Sequence, residues 1–221
     1  MSEERTRDRS WTPADVRERA ASYFGDVAPA HDWQHVRRVA ELAETLAAES
    51  DRDVDERTLL AAVWLHDVGR SREDRGEIDD HAAWGAAEAE RILTDLGATP
   101  DTVAAVQHCV RAHRYSNDVE PETVEAELLC DADNLDALGA VGVARCFTYG
   151  GELGQPIHDP DLPLAADDTE AGETQLNHLQ KKVLSLRERM YTDPGCAVAE
   201  ERHAFVESFV ERFEREVAGD A

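Results

Sequence analysis

His35, His66, Asp67 and Asp131 stand where helical periodicity calls for leucine. His35 continues the stripe Val39, Leu42, Leu46. His66 continues Leu59 and Val63, and Asp67 continues Leu60 and Trp64. Asp131 lies between Leu128 and Leu135 on a stripe that begins at Val124. Spacings of i, i+3/i+4 and i+7 place all four on apolar helix faces, so each is predicted to point inward. An inward carboxylate is costly unless something positive meets it. Two carboxylates and two imidazoles arriving from three separate stripes suit a divalent metal better than they suit one another. Such a mixed nitrogen and oxygen set leaves positions open for water and substrate. It accepts Mn²⁺, Fe²⁺, Co²⁺, Ni²⁺ or Zn²⁺, with Mg²⁺ as the hard-cation alternative. An ion there lowers the pKa of water and polarises a phosphoryl oxygen. Asp67 is predicted to ligate it and orient the water, with His66 beside it as the second catalytic residue. Neighbouring helical positions differ by about 100°, so His66 and Asp67 share one ion only near a helix end. Gly69 predicts that helix stop.

The elements that must carry these residues read as helices almost throughout. The coarse predicted spans are 13–24, 32–50, 55–68, 80–96, 100–114, 121–138, 140–148, 173–191 and 195–217. Thr12-Pro13 with Asp15 is a helix-start signal, and Thr99-Pro100-Asp101 and Asp193-Pro194 repeat it. Strand-type alternation is absent. Residues 149–172 are rich in Gly, Pro and Asp, without periodicity, and are expected to form a flexible loop that is either an acidic insertion or a substrate lid. Phe205, Phe209 and Phe213 form a packing stripe on the last helix. The expected architecture is one all-α domain over residues 1–221, with a core at about 20–150 and C-terminal helices at about 173–217.

Three local settings, HDWQHVRRV around His35, LLAAVWLHDVGR around His66-Asp67 and LLCDADNLDALGA around Asp131, occur in an order that resembles the HD-domain metal-dependent phosphohydrolases. Within them the chain is similar to the small bacterial and archaeal HD proteins that act on nucleotides. FTYGGELGQPIHDP and NHLQKKVLSLRERMYTDPGCAVAEERHAFVESFVERF resemble that group's C-terminal region, so the resemblance spans about residues 20 to 215. It implies a helical HD bundle, a divalent metal on His35, His66, Asp67 and Asp131, and hydrolysis of a phosphoester or phosphoanhydride. It also implies that His81, His108 and His113 occupy positions where related proteins place further ligands or phosphate contacts. Two of them coordinating would make the centre binuclear. Lys182 and Arg202 match cations of that group. Asn134 departs from it, since many relatives have lysine there, and this leaves substrate choice open.

Substrate-facing cations are also suggested by position. Arg38 follows His35 by three residues on the same face, and Arg70 directly follows the His66-Asp67 helix. Lys181 and Lys182 are the only lysines in the chain. The formal net charge is −25. An acidic, lysine-poor surface on a well-patterned core is expected of a salt-adapted protein, such as one from an archaeal halophile. The same charge disfavours nucleic acid as a partner, and no apolar run approaches a membrane span. The first residues, MSEERTRDRSWTPAD, carry no apolar signal region, so a soluble cytoplasmic protein is expected. The partner predicted is a small nucleotide or phosphoester, and a homodimer is the assembly to test for. Four cysteines without a CxxC pair read as ordinary thiols. Two rival functions fit the sequence less well. A signalling-nucleotide phosphodiesterase lacks its motif here, and a ligand-sensing module has no need of an open metal position.

Overall fold

The structure, a computed structural model, describes residues 11–25, 27–114 and 119–220. It is all-α, with no strand among the described residues. The chain divides into two compact units, residues 1–27 with 31–130, and residues 28–30 with 131–221.

The first unit holds α1 (Pro13–Ala21), α2 (Trp33–Glu49), α3 (Glu56–Leu65), α4 (Arg70–Asp74), α5 (His81–Leu96), α6 (Pro100–Ala112) and the start of α7 (Val124–Asp136). A short polar side chain starts most of them. Thr12 and Asp15 form a reciprocal capping box on α1, and Asp32, Asp55, Asp80 and Thr99 accept the first amides of α2, α3, α5 and α6. Each such cap contributes about 1 kcal/mol. The helix at α3 is the axis of this unit, touching α1, α2 and α6, while α5 and α6 pair across the turn at Gly97. Ala61 and Ala62 of α3 and Ala40 and Ala43 of α2 are buried and let the helices approach. Leu46, Leu59 and Leu65 are fully buried, each burial contributing about 1.5–3 kcal/mol. Trp33 stacks between Trp64 and Phe24, with ring centroids 5.5 and 5.3 Å away.

The second unit holds α8 (Gly139–Glu152), α9 (Gln175–His178) and α10 (Asp193–Val217) after the end of α7. Four features differ from the sequence expectation. The span 173–191 is not one α-helix. After α9 the chain widens into a π turn at Leu179–Val183 and tightens into a 3₁₀ run at Leu184–Arg189. The wide turn carries Lys181, which reaches back to the carbonyls of Asp167 and Thr169. The helix predicted at 140–148 continues to Glu152, so the connecting segment begins at Leu153. That segment is anchored along its length. Gln175 and Leu176 donate their backbone N–H to the carbonyls of Pro156 and Ile157, and the Asn177 amide donates to Leu162 and to the Asp167 carboxylate. Finally, Phe209 and Phe213 pack on Phe147 of α8 at 6.0 and 5.9 Å, whereas Phe205 is exposed. A 25-residue helix turns far enough that an i, i+4, i+8 row drifts off one contact line.

Candidate metal centre

Helix α3 ends at Leu65, and His66 is its C-cap. The Nδ1–H of His66 donates to the Val63 carbonyl at 2.7 Å. A carbonyl only accepts, so Nδ1 carries a proton, and Nε2 faces inward with a lone pair whenever the ring is neutral. Asp67 follows in the turn, where a helix end allows both neighbours to face one point. The helix stops just before Gly69, as expected, but without a left-handed glycine. Its φ is −90°, an ordinary helical value. Its missing side chain matters because a Cβ there would lie 2.7 Å from the His81 carbonyl oxygen, so glycine lets the start of α4 meet the start of α5.

His35 enters from the first turn of α2, where Asp32 accepts its N–H at 3.0 Å. Its Nε2 lies 3.4 Å from His66 Nε2 and 3.6 Å from Asp67 Oδ2, and His66 Nε2 lies 3.7 Å from that same oxygen. The other carboxylate oxygen has an equivalent setting. His81 Nε2 and His113 Nε2 are 3.2 Å apart and lie 3.4 and 3.6 Å from Asp67 Oδ1. His113 caps α6 as His66 caps α3, donating Nδ1–H to the Val110 carbonyl at 2.7 Å. His35, His66, Asp67, His81 and His113 are all buried. Ligands bonded to a common ion at about 2.1 Å stand roughly 3.0–3.5 Å apart. The donor atoms, 3.2–3.7 Å apart, stand within a few tenths of an ångström of that spacing.

The electrostatics agree. Burial alone would raise the Asp67 carboxyl, but the charge of His66 and hydrogen bonds from His113 and His35 outweigh it and hold Asp67 well below the usual carboxylate range. Burial pulls the His81 imidazole below its ordinary value. Glu73 of α4 accepts His81 Nδ1–H at 2.8 Å and the Arg114 guanidinium at 2.7 Å, and lies 3.5 Å from the Arg70 guanidinium.

The remaining predicted residues fall elsewhere. Arg38 is half-buried one turn beyond His35 on α2. Arg70 begins α4 and pairs with Glu73 and Asp74. His108 does not join the cluster; its Nε2 accepts the Glu122 N–H at 2.9 Å and ties down the approach to α7. In the second unit, Asp131 is fully buried, as its stripe predicts. Its Oδ1 accepts the Tyr191 N–H at 2.8 Å, and its Oδ2 accepts the Thr192 N–H and hydroxyl at 2.9 and 2.6 Å. A Cβ at Gly195 would lie 2.2 Å from Oδ2, so that glycine makes room for the carboxylate at the start of α10. Lys182 pairs with the exposed Glu170 at 2.9 Å. Arg202 donates to the Leu135 carbonyl near the end of α7.

Sequence reasoning missed Glu73 and Arg114. Glu73 carried a signal, in that it stands one turn after Arg70 in a short helix, but nothing in GRSREDRGE separates it from the acidic surface. Asp133 and Asp136 were also passed over beside Asp131. Asp136 is buried and bound to Arg145 at 3.0 Å.

Residues 32–138 match the family model described as HD domain. The uncharacterised protein YpgQ of Bacillus subtilis is 28% identical over 208 residues, covering 92% of this chain and 93% of that one. A solved HD-superfamily hydrolase from Bacillus thuringiensis is 30% identical, with 93% and 96% of the two chains covered and a TM-score of 0.72. The structure of B. subtilis YpgQ in complex with ADP is 25% identical, with 95% and 100% covered and a TM-score of 0.73. On the Bacillus thuringiensis relative in particular, related over nearly its whole length, the chain belongs to the HD superfamily.

Proposed function

We propose that the protein is a metal-dependent phosphohydrolase acting on a nucleotide, of the triphosphate pyrophosphohydrolase or nucleotidase kind. The observation that carries this reading is the convergence of His35 Nε2, His66 Nε2 and Asp67 Oδ2 at separations of 3.4–3.7 Å in a buried setting. The nucleotide is supported by the ADP complex of YpgQ. His35, His66 and Asp67 would hold a divalent ion, which would supply an activated water and positive charge at a phosphoryl oxygen. His66 presents Nε2 because Val63 holds its other nitrogen, and Asp67 orients the attacking water through Oδ2. Arg38, Arg70 and Lys182 supply positive charge for phosphate in a strongly acidic chain.

The sequence expectation adds a carboxylate from α7 to this set. Asp131 is the residue expected from the stripe, but its two oxygens already accept three hydrogen bonds at the start of α10. Asp136 is bound by Arg145. The site serves Mn²⁺, Co²⁺, Ni²⁺, Fe²⁺, Zn²⁺ or Mg²⁺.

Metal-stripped protein in molar KCl, tested against nucleoside mono-, di- and triphosphates with each metal, decides the reading when phosphate and pyrophosphate are measured separately. Metal-dependent release of either is expected. Asp67→Ala and His66→Ala should each lose bound metal and reduce activity by more than the ~10²–10⁴-fold of a lost general acid or base. No release from any nucleotide, or full metal occupancy in both variants, refutes it.

A further inference from the structure

We propose that the Glu170 carboxylate is an internal competitor for phosphate at Lys182, holding the ammonium until a phosphate dianion of the nucleotide displaces it. The inference rests on the proposed phosphate role of Lys182.

The first support is how little holds the Glu170 side chain. Its Oε1 accepts the Lys182 ammonium at 2.9 Å, yet the side chain is 89% exposed. The Lys182 hydrogen bond and charge, with a smaller effect of Arg189, keep the Glu170 carboxyl below its ordinary value, so it is an anion at neutral pH. A solvent-exposed pair of this kind shifts an equilibrium by a factor of only about 1.4–5. A carboxylate carries one negative charge. A phosphate monoester carries about 1.5–2 at pH 7 and offers three acceptor oxygens. Phosphate therefore takes the ammonium where a monovalent anion does not.

The second support is how firmly the backbone on either side of Glu170 is held. Thr169 gives its N–H and hydroxyl to the buried Asp167, and its carbonyl accepts the Lys181 ammonium at 2.6 Å. On the other side, the Ala171 carbonyl accepts the His178 Nδ1–H at 2.7 Å, and the Gly172 N–H donates to the Thr169 hydroxyl at 3.1 Å. Gly172 has a left-handed φ of +86°, and a Cβ there would lie 2.5 Å from the His178 nitrogen, so glycine lets the tip close down on α9. The backbone thus presents Glu170 at a fixed place, while its side chain is held by one weak contact. Tethering gives that carboxylate a high effective concentration at Lys182 without a tight bond.

Lys181 is the internal control. Its ammonium is committed to the Asp167 carboxylate and to the Asp167 and Thr169 carbonyls. It reports on the loop and not on the ligand.

Lysine resonances test the competition. The chain has two lysines, so the full protein labelled with ¹³C-lysine gives two ε-methylene signals, one of them absent from Lys182→Ala. Mg²⁺-loaded protein at fixed KCl is titrated with inorganic phosphate and, separately, with acetate. Phosphate is expected to move the Lys182 signal and leave Lys181 in place, while acetate at equal concentration moves neither. Glu170→Gln should shift the Lys182 signal before any ligand is added and lower the Kd for phosphate about 2–5-fold. Asp168→Asn, which removes the exposed acid two residues away, should leave that Kd nearly unchanged. Equal Kd in wild type and Glu170→Gln, with the Lys182 signal moving in both, overturns the competition and leaves Lys182 as a phosphate residue. Equal gains from Glu170→Gln and Asp168→Asn mean a diffuse charge effect and overturn it too, as does acetate that moves Lys182 as phosphate does. A Lys182 signal that phosphate moves in neither protein removes the phosphate role of Lys182 and the competition with it. Metal-dependent release of phosphate from nucleotides is measured apart from these signals, so failure of the hydrolase reading is told from failure of the competition. The wild-type titration needs no variant to fold.

Discussion

The ammonium of Lys181 lies 3.2 Å from Oδ1 of Asp167, a carboxylate whose side chain is closed to solvent. Asp167 also accepts from the Thr169 N–H and hydroxyl, the Glu173 N–H and the Asn177 amide. One buried acid thus gathers the segment between α8 and α9. The neighbouring lysine differs in kind, because Lys182 pairs with a carboxylate that is 89% exposed, and such pairs contribute little.

The two lysines should therefore fail differently. Lys182→Ala is expected to raise KM for the preferred nucleotide or lower kcat, with metal content and melting temperature unchanged. Lys181→Ala is expected to lower the melting temperature by a few degrees and leave KM nearly alone. Steady-state kinetics, elemental analysis and thermal melts of both variants check this. Matching kinetic defects would mean a diffuse charge effect.

The Asp167 hub also has a pH signature. Hydrogen bonds from the Thr169 hydroxyl and the Glu173 N–H hold its carboxyl well below its ordinary value. A group with a depressed folded pKa stabilises fully above the unfolded value, about 3.9 for Asp, and loses that contribution as pH falls below it. Protection of residues 153–173 against hydrogen exchange should therefore be flat from pH 8 to about pH 5 and fall below about pH 4. Asp167→Asn should show weakened protection across the whole range. Onset of loss above pH 6 in wild type would refute the assignment.

Asp131 and Asp133 make an internal comparison on one helix. Asp131→Ala removes the acceptor of three hydrogen bonds and should cost roughly 2–4 kcal/mol in denaturant unfolding. Asp133→Ala, at a half-buried position one residue beyond Ala132, should cost little stability. Loss of bound metal in Asp131→Ala with stability intact would instead support the ligand role its stripe suggests.

How far the chain was legible follows from what each residue asks of its surroundings. Asp131 was read as inward, and it is. Periodicity reports burial, but it does not report which partner waits inside, and that partner lies 61 residues on in Thr192. His81 and His113 were legible as candidates only through the family resemblance, and their shared oxygen on Asp67 depends on how α5 and α6 meet α3. Helix spans were readable where a cap and an apolar stripe coincide, as at α2 and α5. They were not readable at α4, which is five residues long, nor at residues 179–189, where tertiary hydrogen bonds outweigh propensity.

Salt dependence tests the charge reading. A net charge of −25 repels itself at low ionic strength, while the exposed ion pairs, such as Arg212 with Glu216, are individually weak. Screening should remove more repulsion than attraction. The melting temperature is expected to rise steadily from dilute buffer to molar KCl, and a flat or falling series would refute salt adaptation.

His66 and His113 each satisfy the Val63 or Val110 carbonyl of the helix they end. This double duty limits how the protein can change over time. A descendant that gave up metal would still need a donor at each of these two helix ends. Loss of the activity would therefore be expected to leave the two histidines in place, as relics that still close their helices, and drift would first be visible at Asp67 and His35.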